Sequence, residues 1–359
     1  MPSLDRLTPK TRRAAVGPGR VRPRGGRANR TAKFIDTNAD GVLDSGDASV
    51  TIYGWDNRNR LVSVTSYATY GDVPTQTVTY AYDAENRWIG ETVTSADGSI
   101  HCTAFAYDPE AGGGGVSAGQ IVLQFDKDVS SPTGPASALT AADLSHRYLW
   151  GPAVDQILAD EQVASPARPG TVVWPLTDDL GTVRDLAVYN AATGQTSVAS
   201  HRAYDSFGNL KSQSNAAVDC LFGYTGRPLD PSGTGLQDNG QRWYDAGAGG
   251  WLSADPTGLG AGDTNLYRYC GNSPTDATDP LGSYPIFLPD PRYWWSEPEP
   301  EPEPAPPTKD SPSPATPVPI PRDILSPPSP APKPRPEPKP APPQRRGPPI
   351  APEEFRYLC

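Results

Sequence analysis

Val78, Tyr80 and Tyr82 alternate with Thr77, Thr79 and Ala81, the period-two pattern of a β-strand that buries one face. Threonine and tyrosine suit that pleated surface. The same strand end recurs as aromatic-x-aromatic-Asp at Tyr53-Gly-Trp55-Asp56, Tyr80-Ala-Tyr82-Asp83 and Phe105-Ala-Tyr107-Asp108, at intervals of 27 and 25 residues. A period in this range marks a repeat architecture. Each aspartate opens a polar turn, Asn57-Arg-Asn-Arg60 or Ala84-Glu-Asn-Arg87, followed by an apolar segment such as Leu61-Val-Ser-Val64 or Trp88-Ile89. The unit is a strand–turn–strand step, and the aspartate fits its turn because the carboxylate can accept a backbone N–H two residues on.

No segment carries a long amphipathic helical pattern. Thr140–Leu144 and Asp155–Glu161 read as short helical turns, the second equally well as strand. Gly112–Gly115 lacks the Lys-Ser/Thr and helix start of a phosphate loop and reads as a flexible connector. The expected fold is mainly β.

Charge divides the chain. Residues 1–33 hold ten Lys or Arg against one Asp, without apolar periodicity, and read as a disordered basic arm. Residues 34–282 hold 12 basic and 30 acidic residues, a net charge of −18, with only two lysines. So acidic a body argues against nucleic acid as a ligand, since phosphate binding needs clustered cations. Residues 283–359 contain 27 prolines, including Pro298-Glu-Pro-Glu-Pro-Glu-Pro304. No helix or sheet ladder propagates through such a tail, for which a disordered polyproline-II state is expected. Tyr293, Trp294 and Trp295 precede the Pro-Glu run and read as aromatics that pack loosely on the preceding domain. The chain shows neither a secretory leader nor a transmembrane run.

Asp36-Thr-Asn38-Ala-Asp40-Gly41-Val42-Leu-Asp44-Ser-Gly-Asp47 places oxygen donors at loop positions 1, 3, 5, 9 and 12, glycine at 6 and the Val42 carbonyl at 7. That is the spacing of an EF-hand loop, in which glycine allows the sharp turn that gathers six to eight oxygens around calcium. Calcium, in a structural role, is the expected cofactor, with Asp36, Asn38, Asp40, Val42, Asp44 and Asp47 as ligands. Two departures stand: Asp47 replaces the usual longer glutamate, and Ala48–Tyr53 reads as a strand instead of an exiting helix. An acidic turn without calcium is the alternative.

Cys102, Cys220, Cys270 and Cys359 form no metal-ligating cluster. They read as buried thiols, with one disulfide as the alternative in an oxidising compartment. His101, His146 and His201 are scattered, and no hydrolase motif is present.

The ordered string Trp251-Leu-Ser-Ala-Asp-Pro-Thr-Gly-Leu259, Gly262-Asp-Thr-Asn-Leu-Tyr-Arg-Tyr-Cys-Gly-Asn272 and Asp279-Pro-Leu-Gly282 resembles the core-domain signature of the rearrangement-hotspot (RHS), or YD-repeat, family. The Tyr-Asp…Asn-Arg units resemble YD repeats, with further relics at Ala203–Leu210 and Arg242-Trp-Tyr-Asp245. The resemblance covers roughly residues 50–282. It implies repeat hairpins paired into part of a β-shell over residues 50–204, a repeat-associated core over 205–282, the calcium loop at 34–49 ahead of them, and arm and tail outside.

In several family members the core is a self-cleaving aspartyl protease that cuts after the second Asp-Pro-x-Gly-Leu. Such chemistry needs two nearby carboxyl groups, one protonated and one activating water. The matching positions are Asp255 and Asp279, with Asp263 and Asp276 as neighbouring candidates. This chain has Ser283 where cleaved members have leucine, which weakens the cleavage case. The plainer reading makes these aspartates turn-builders, with Pro256 and Pro280 fixing the following φ. The expectation is therefore a non-catalytic structural shell segment, the C-terminal part of a larger secreted or surface protein, whose partners are upstream repeats or other cell-surface components. Two alternatives stay open: a self-cleaving effector-delivery protein that releases its tail, and a calcium-dependent adhesion module.

Overall fold

The structure is a computed structural model that describes residues 29–108, 119–129 and 139–287. The Gly112–Gly115 connector, the aromatics 293–295 and most of the arm and Pro-rich tail lie outside the described residues.

Thirteen strands pair in strict sequence order into one antiparallel, unclosed sheet. They are β1 (Ala32–Ile35), β2 (Ala48–Trp55), β3 (Leu61–Thr69), β4 (Gln76–Tyr82), β5 (Trp88–Ser95), β6 (Ile100–Asp108) and β7 (Gln120–Val129), then β8 (Leu144–Trp150), β9 (Ile157–Gln162), β10 (Thr171–Thr177), β11 (Val183–Asn190), β12 (Gln195–Tyr204) and β13 (Leu210–Gln213). The core signature adds a three-stranded sheet, β14 (Leu236–Asp238), β15 (Trp243–Asp245) and β16 (Gly250–Trp251), and a two-stranded one, β17 (Ala277–Thr278) with β18 (Ile286–Phe287). Among the described residues helix is confined to short 3-10 turns, and none is long and apolar enough to cross a membrane.

The alternation of the sequence sets the two faces. Tyr53, Val64, Val78 and Val93 stand opposite one another across β2–β5, and all four are buried. The reverse face carries the ladder Thr65, Thr77, Thr94 and the ladder Ser63, Thr79, Thr92, polar groups that tolerate water. Buried residues of the inner face form one cluster with Leu221, Phe222, Leu236, Trp243 and Leu252. The core region, residues 205–282, thus covers the face that the sheet cannot leave wet.

Five even-numbered strands end in the same device. The register slips one residue before Trp55, Tyr82, Tyr107, Trp150 and Tyr204, and each aromatic then faces the first apolar residue of the next strand. The bulge turns the ring towards the preceding repeat. Tyr82 donates its hydroxyl to the Leu61 carbonyl (2.7 Å), Tyr107 to that of Trp88 (2.7 Å), and the Trp150 indole to that of Ile121 (2.8 Å). The turn aspartate acts as expected: Asp56 accepts the Arg58 and Arg60 N–H groups, and Asp83 that of Arg87. Asn59 and Asn86 take positive φ, 67° and 69°, a conformation asparagine tolerates better than most residues. Arg60 and Arg87 pair back to Asp56 and Asp83 and lie over the rings of Tyr82 and Tyr107, 5.0 and 5.2 Å away. Every conspicuous residue of the repeat therefore either closes its own turn or grips its neighbour.

Composition misplaced several edges. Residues 29–33, assigned to the disordered arm, include the start of β1, which pairs with β2. Residues 283–287, assigned to the tail, include β18. Backbone pairing overrides local composition at both places. Asp155–Glu161 runs into strand β9, whereas Thr140 caps a 3-10 turn at Ala141–Asp143. Cys220 and Cys270 are buried free thiols, as expected; Cys102 is disulfide-bonded, so the thiol reading fails there.

Candidate functional site

Three turns of the core region share the pattern Asp-Pro-x-Gly: Asp230–Gly233, Asp255–Gly258 and Asp279–Gly282. Proline presets the second residue of such a turn and glycine supplies the left-handed fourth; the glycine φ values are 81°, 61° and 66°. In each, the glycine N–H returns to the aspartate carbonyl. Asp255 and Asp279 both divide their carboxylate between two tasks. Oδ1 of Asp255 accepts the Thr257 N–H (2.8 Å), and Oδ1 of Asp279 accepts those of Ser283 (2.9 Å) and Tyr284 (3.1 Å). Both Oδ2 atoms meet one guanidinium nitrogen of Arg242, at 2.8 Å from Asp255 and 3.1 Å from Asp279.

Arg242 is the hub. It sits between β14 and β15, 4% exposed, with its guanidinium 4.1 Å from the centre of the Trp251 ring. It also donates through Nε to the Gly282 carbonyl and through a terminal nitrogen to that of Leu266. Burial dominates the electrostatics. It raises the Asp279 carboxyl above its ordinary range despite the Ser283 N–H and Arg242, and it lowers the Arg242 guanidinium despite the two carboxylates. Gly282 is held closely, since a Cβ there would lie 2.9 Å from both the Arg242 nitrogen and the Asn239 carbonyl oxygen. The Gly282–Ser283 peptide is consequently gripped from both sides, its oxygen by Arg242 and its N–H by Asp279.

A cavity of about 350 Å³ opens beside this centre, lined by Arg242, Asp255, Asp279, Asp263 and Arg268 among others. Of the four carboxylates singled out from sequence, the structure joins Asp255 and Asp279. Asp263 stays at the cavity rim, 3.5 Å from Arg268 and capping Asn265. Asp276 is exposed and contacts only its neighbour Thr275 and the turn it belongs to. Sequence reasoning passed over Arg242; its one signal is that Arg242-Trp-Tyr-Asp245 carries arginine three residues before the aspartate, where the first three repeats carry Tyr53, Tyr80 and Phe105.

The acidic loop lies between β1 and β2. The Asn38 amide nitrogen stands 3.2 Å from Asp40 and 3.0 Å from Asp44, which brings positions 3, 5 and 9 together. Asp36 accepts the Ala39 and Gly41 N–H groups, and Val42 donates its own N–H to Asp40. Asp47 is buried and spent on the backbone, accepting from Thr37 and Asp44; these N–H groups hold its carboxyl below the ordinary range. Among the described residues no three His, Cys, Asp or Glu groups converge as a metal site. The donor set of Asp36, Asn38, Asp40 and Asp44 suits calcium in kind, and Asp47 serves the loop's closure instead.

The three histidines do not meet. Each pairs with an aspartate of the neighbouring strand, His101 with Asp128, His146 with Asp160 and His201 with Asp185.

Sheet, turns and plug define a class: an open antiparallel β-shell segment whose inner face is covered by a turn-built core. The family-model comparison agrees over part of the chain. Residues 162–275 match the Teneurin YD-shell family model. The chain is 44% identical over 72 residues to toxin subunit YenC1 of Yersinia entomophaga, covering 20% of this chain and 7% of that one. It is 28% identical over 244 residues to double-stranded DNA deaminase toxin A of Burkholderia cenocepacia, covering 64% and 15%. Among solved structures it is similar to the Tc holotoxin pore of Photorhabdus luminescens, with TM-score 0.48 and 17% identity over 67% of this chain and 10% of that one. Over residues 162–275 the chain is similar to the YD-shell family, in keeping with the RHS/YD-repeat resemblance of its sequence. It spans no more than 15% of the length of the curated relatives named here.

Proposed function

We propose that the chain works as a non-catalytic structural segment of a larger, secreted or surface-exposed shell. The observation that carries this reading is the repeat-to-repeat staple, in which the bulged aromatics Tyr82, Tyr107 and Trp150 are each tied to the preceding unit. Such a device propagates by adding strands at an edge, and β1 and β13 are both edges of the sheet. The toxin-subunit relatives support a role as a component of a longer protein or assembly. We also propose that the loop at 36–47 takes calcium as a structural ion that orders the entry into β2.

A second reading rests on a different observation. The Gly282–Ser283 peptide lies between Arg242 and Asp279, with Asp255 sharing the same guanidinium. For self-cleavage, water would add to the Gly282 carbonyl carbon and give its proton to a carboxylate. Arg242 would stabilise the developing oxyanion, and the Ser283 amine would leave with a proton from the carboxyl group of Asp279. Intact mass of the purified chain, beside Asp255→Asn and Asp279→Asn, separates the two readings. Full-length mass in all three supports the structural segment. A species ending at Gly282 or Ser283 in the parent alone refutes it and establishes processing.

A further inference from the structure

On the inner face, Tyr80, Glu91, Thr103 and Asp126 stand opposite one another in a lane across β4–β7. Asp230, from the first Asp-Pro-x-Gly turn, reaches this lane and is 5% exposed. Its Oδ2 accepts the hydroxyls of Tyr80 and Thr234, and its Oδ1 accepts the Ser232 hydroxyl and N–H. Asp230 therefore has the donors an ionised carboxylate needs. Glu91 has fewer: it is 1% exposed and neither of its oxygens makes a well-formed hydrogen bond, the Ser232 N–H giving it only minor support.

An ionised carboxylate so sealed from water is strongly disfavoured, and Asp230, bonded to the hydroxyl of Tyr80 that stands opposite Glu91, brings a charge of the same sign. No cation answers it from the neighbouring strands. On β6 and β7 the charged groups facing this lane are His101, Asp126 and Asp128, and His101 is engaged by both aspartates, 3.5 and 2.8 Å away. On β4 the facing group is Tyr80, whose hydroxyl is spent on Asp230. One proton on Glu91 resolves the conflict, because it removes a charge and creates an O–H donor beside an acceptor.

We propose that Glu91 and Asp230 share a single proton, and that this proton latches the Asp230–Gly233 turn of the core signature onto the inner wall of the sheet. The turn also forms one wall of a cavity of about 730 Å³ lined by Arg202, His146 and Tyr148, so releasing the latch opens that cavity. Burial and the Asp230 charge push the Glu91 carboxyl well above its ordinary range. The folded chain thus keeps a proton that the opened chain releases. Opening becomes more favourable as pH rises above the ordinary carboxyl range, by about tenfold per pH unit until Glu91 ionises in place. The latch is independent of the Arg242 centre and of any cleavage there.

Hydrogen exchange of the full chain, followed on peptides spanning 228–236 between about pH 6 and about pH 9 and corrected for intrinsic exchange, tests the latch. The parent's opening equilibrium should rise towards tenfold per pH unit. Glu91→Gln, whose amide still donates to Asp230, should remove that slope, and Asp230→Asn, which removes the like charge and offers Glu91 an amide donor, should make it shallower. A parent-like slope in either folded variant overturns the proposal. Protection of these peptides by millimolar calcium at about pH 9, lost in Glu91→Gln, would also overturn it by placing a cation where the proton is assigned.

Discussion

Arg242→Met leaves Asp255 and Asp279, 6% and 2% exposed, facing each other without their common cation. Removing one partner from a buried ion pair costs about 3–5 kcal/mol, and the contact with Trp251 and the bonds to Gly282 and Leu266 are lost as well. With a urea slope of about 2–3 kcal/mol/M the unfolding midpoint should fall by roughly 1–2 M. The deficit must depend on pH. Without the guanidinium the folded Asp279 carboxyl, already raised by burial, rises further above its unfolded value, so the native variant holds a proton that the unfolded chain releases. The variant then loses stability relative to the parent as pH rises from the ordinary carboxyl range, by at most about 1.4 kcal/mol per unit for that carboxyl. Near pH 4 most of the deficit should vanish. The triple variant Arg242→Met, Asp255→Asn, Asp279→Asn should recover much of it at neutral pH, because the stranded charges are gone. A deficit below about 1 kcal/mol at neutral pH, or one that stays constant down to pH 4, would refute the view of Arg242 as the counter-charge of this centre.

Trp243 packs at 4.8 Å from Tyr80 and 5.1 Å from Trp88 and donates to the Tyr82 hydroxyl; Trp243→Ala should cost about 3–5 kcal/mol in urea unfolding, and a cost under about 1 would show that the core signature is not docked through this ring. His101 is raised to about 9, first by its bond to Asp126. Its contribution to stability should be complete below the ordinary histidine range and lost as pH passes about 9; because the side chain is 44% exposed, the check is the NMR titration of its ring protons, in which an ordinary midpoint near 6.5 would remove the pairing. Calcium should raise the thermal midpoint of the parent and leave Asp36→Ala, Asp40→Ala unchanged; equal behaviour with and without the ion would remove the calcium proposal.

Much of this protein was legible in its residues. The alternation around Val78 predicted both faces of β4, because a two-residue period needs no tertiary information. The turn role of Asp56 and Asp83 followed from carboxylate chemistry, whereas the sequence named Asp255, Asp279, Asp263 and Asp276 without choosing a pair among them. Other features left weaker traces. The repeat end at Trp150 and the first Asp-Pro-x-Gly turn at Asp230 are visible once the pattern is known, yet irregular spacing hides them. The start of β1 at Ala32 sits in a stretch that composition assigned to an arm, since a short edge strand has no period long enough to read.

What the sequence determined by itself is local: strand faces, turn chemistry and the order of hairpins, each set by neighbours within a few residues. What only the tertiary structure decided is long-range. It chose Arg242 as the shared partner of Asp255 and Asp279, set the staple from Tyr82 back to Leu61, and left Glu91 beside Asp230 without a well-formed hydrogen bond. These contacts join residues 13 to 139 positions apart. Their partners are selected by sheet register and by which face the core signature covers, and neither is written in any one segment of the chain.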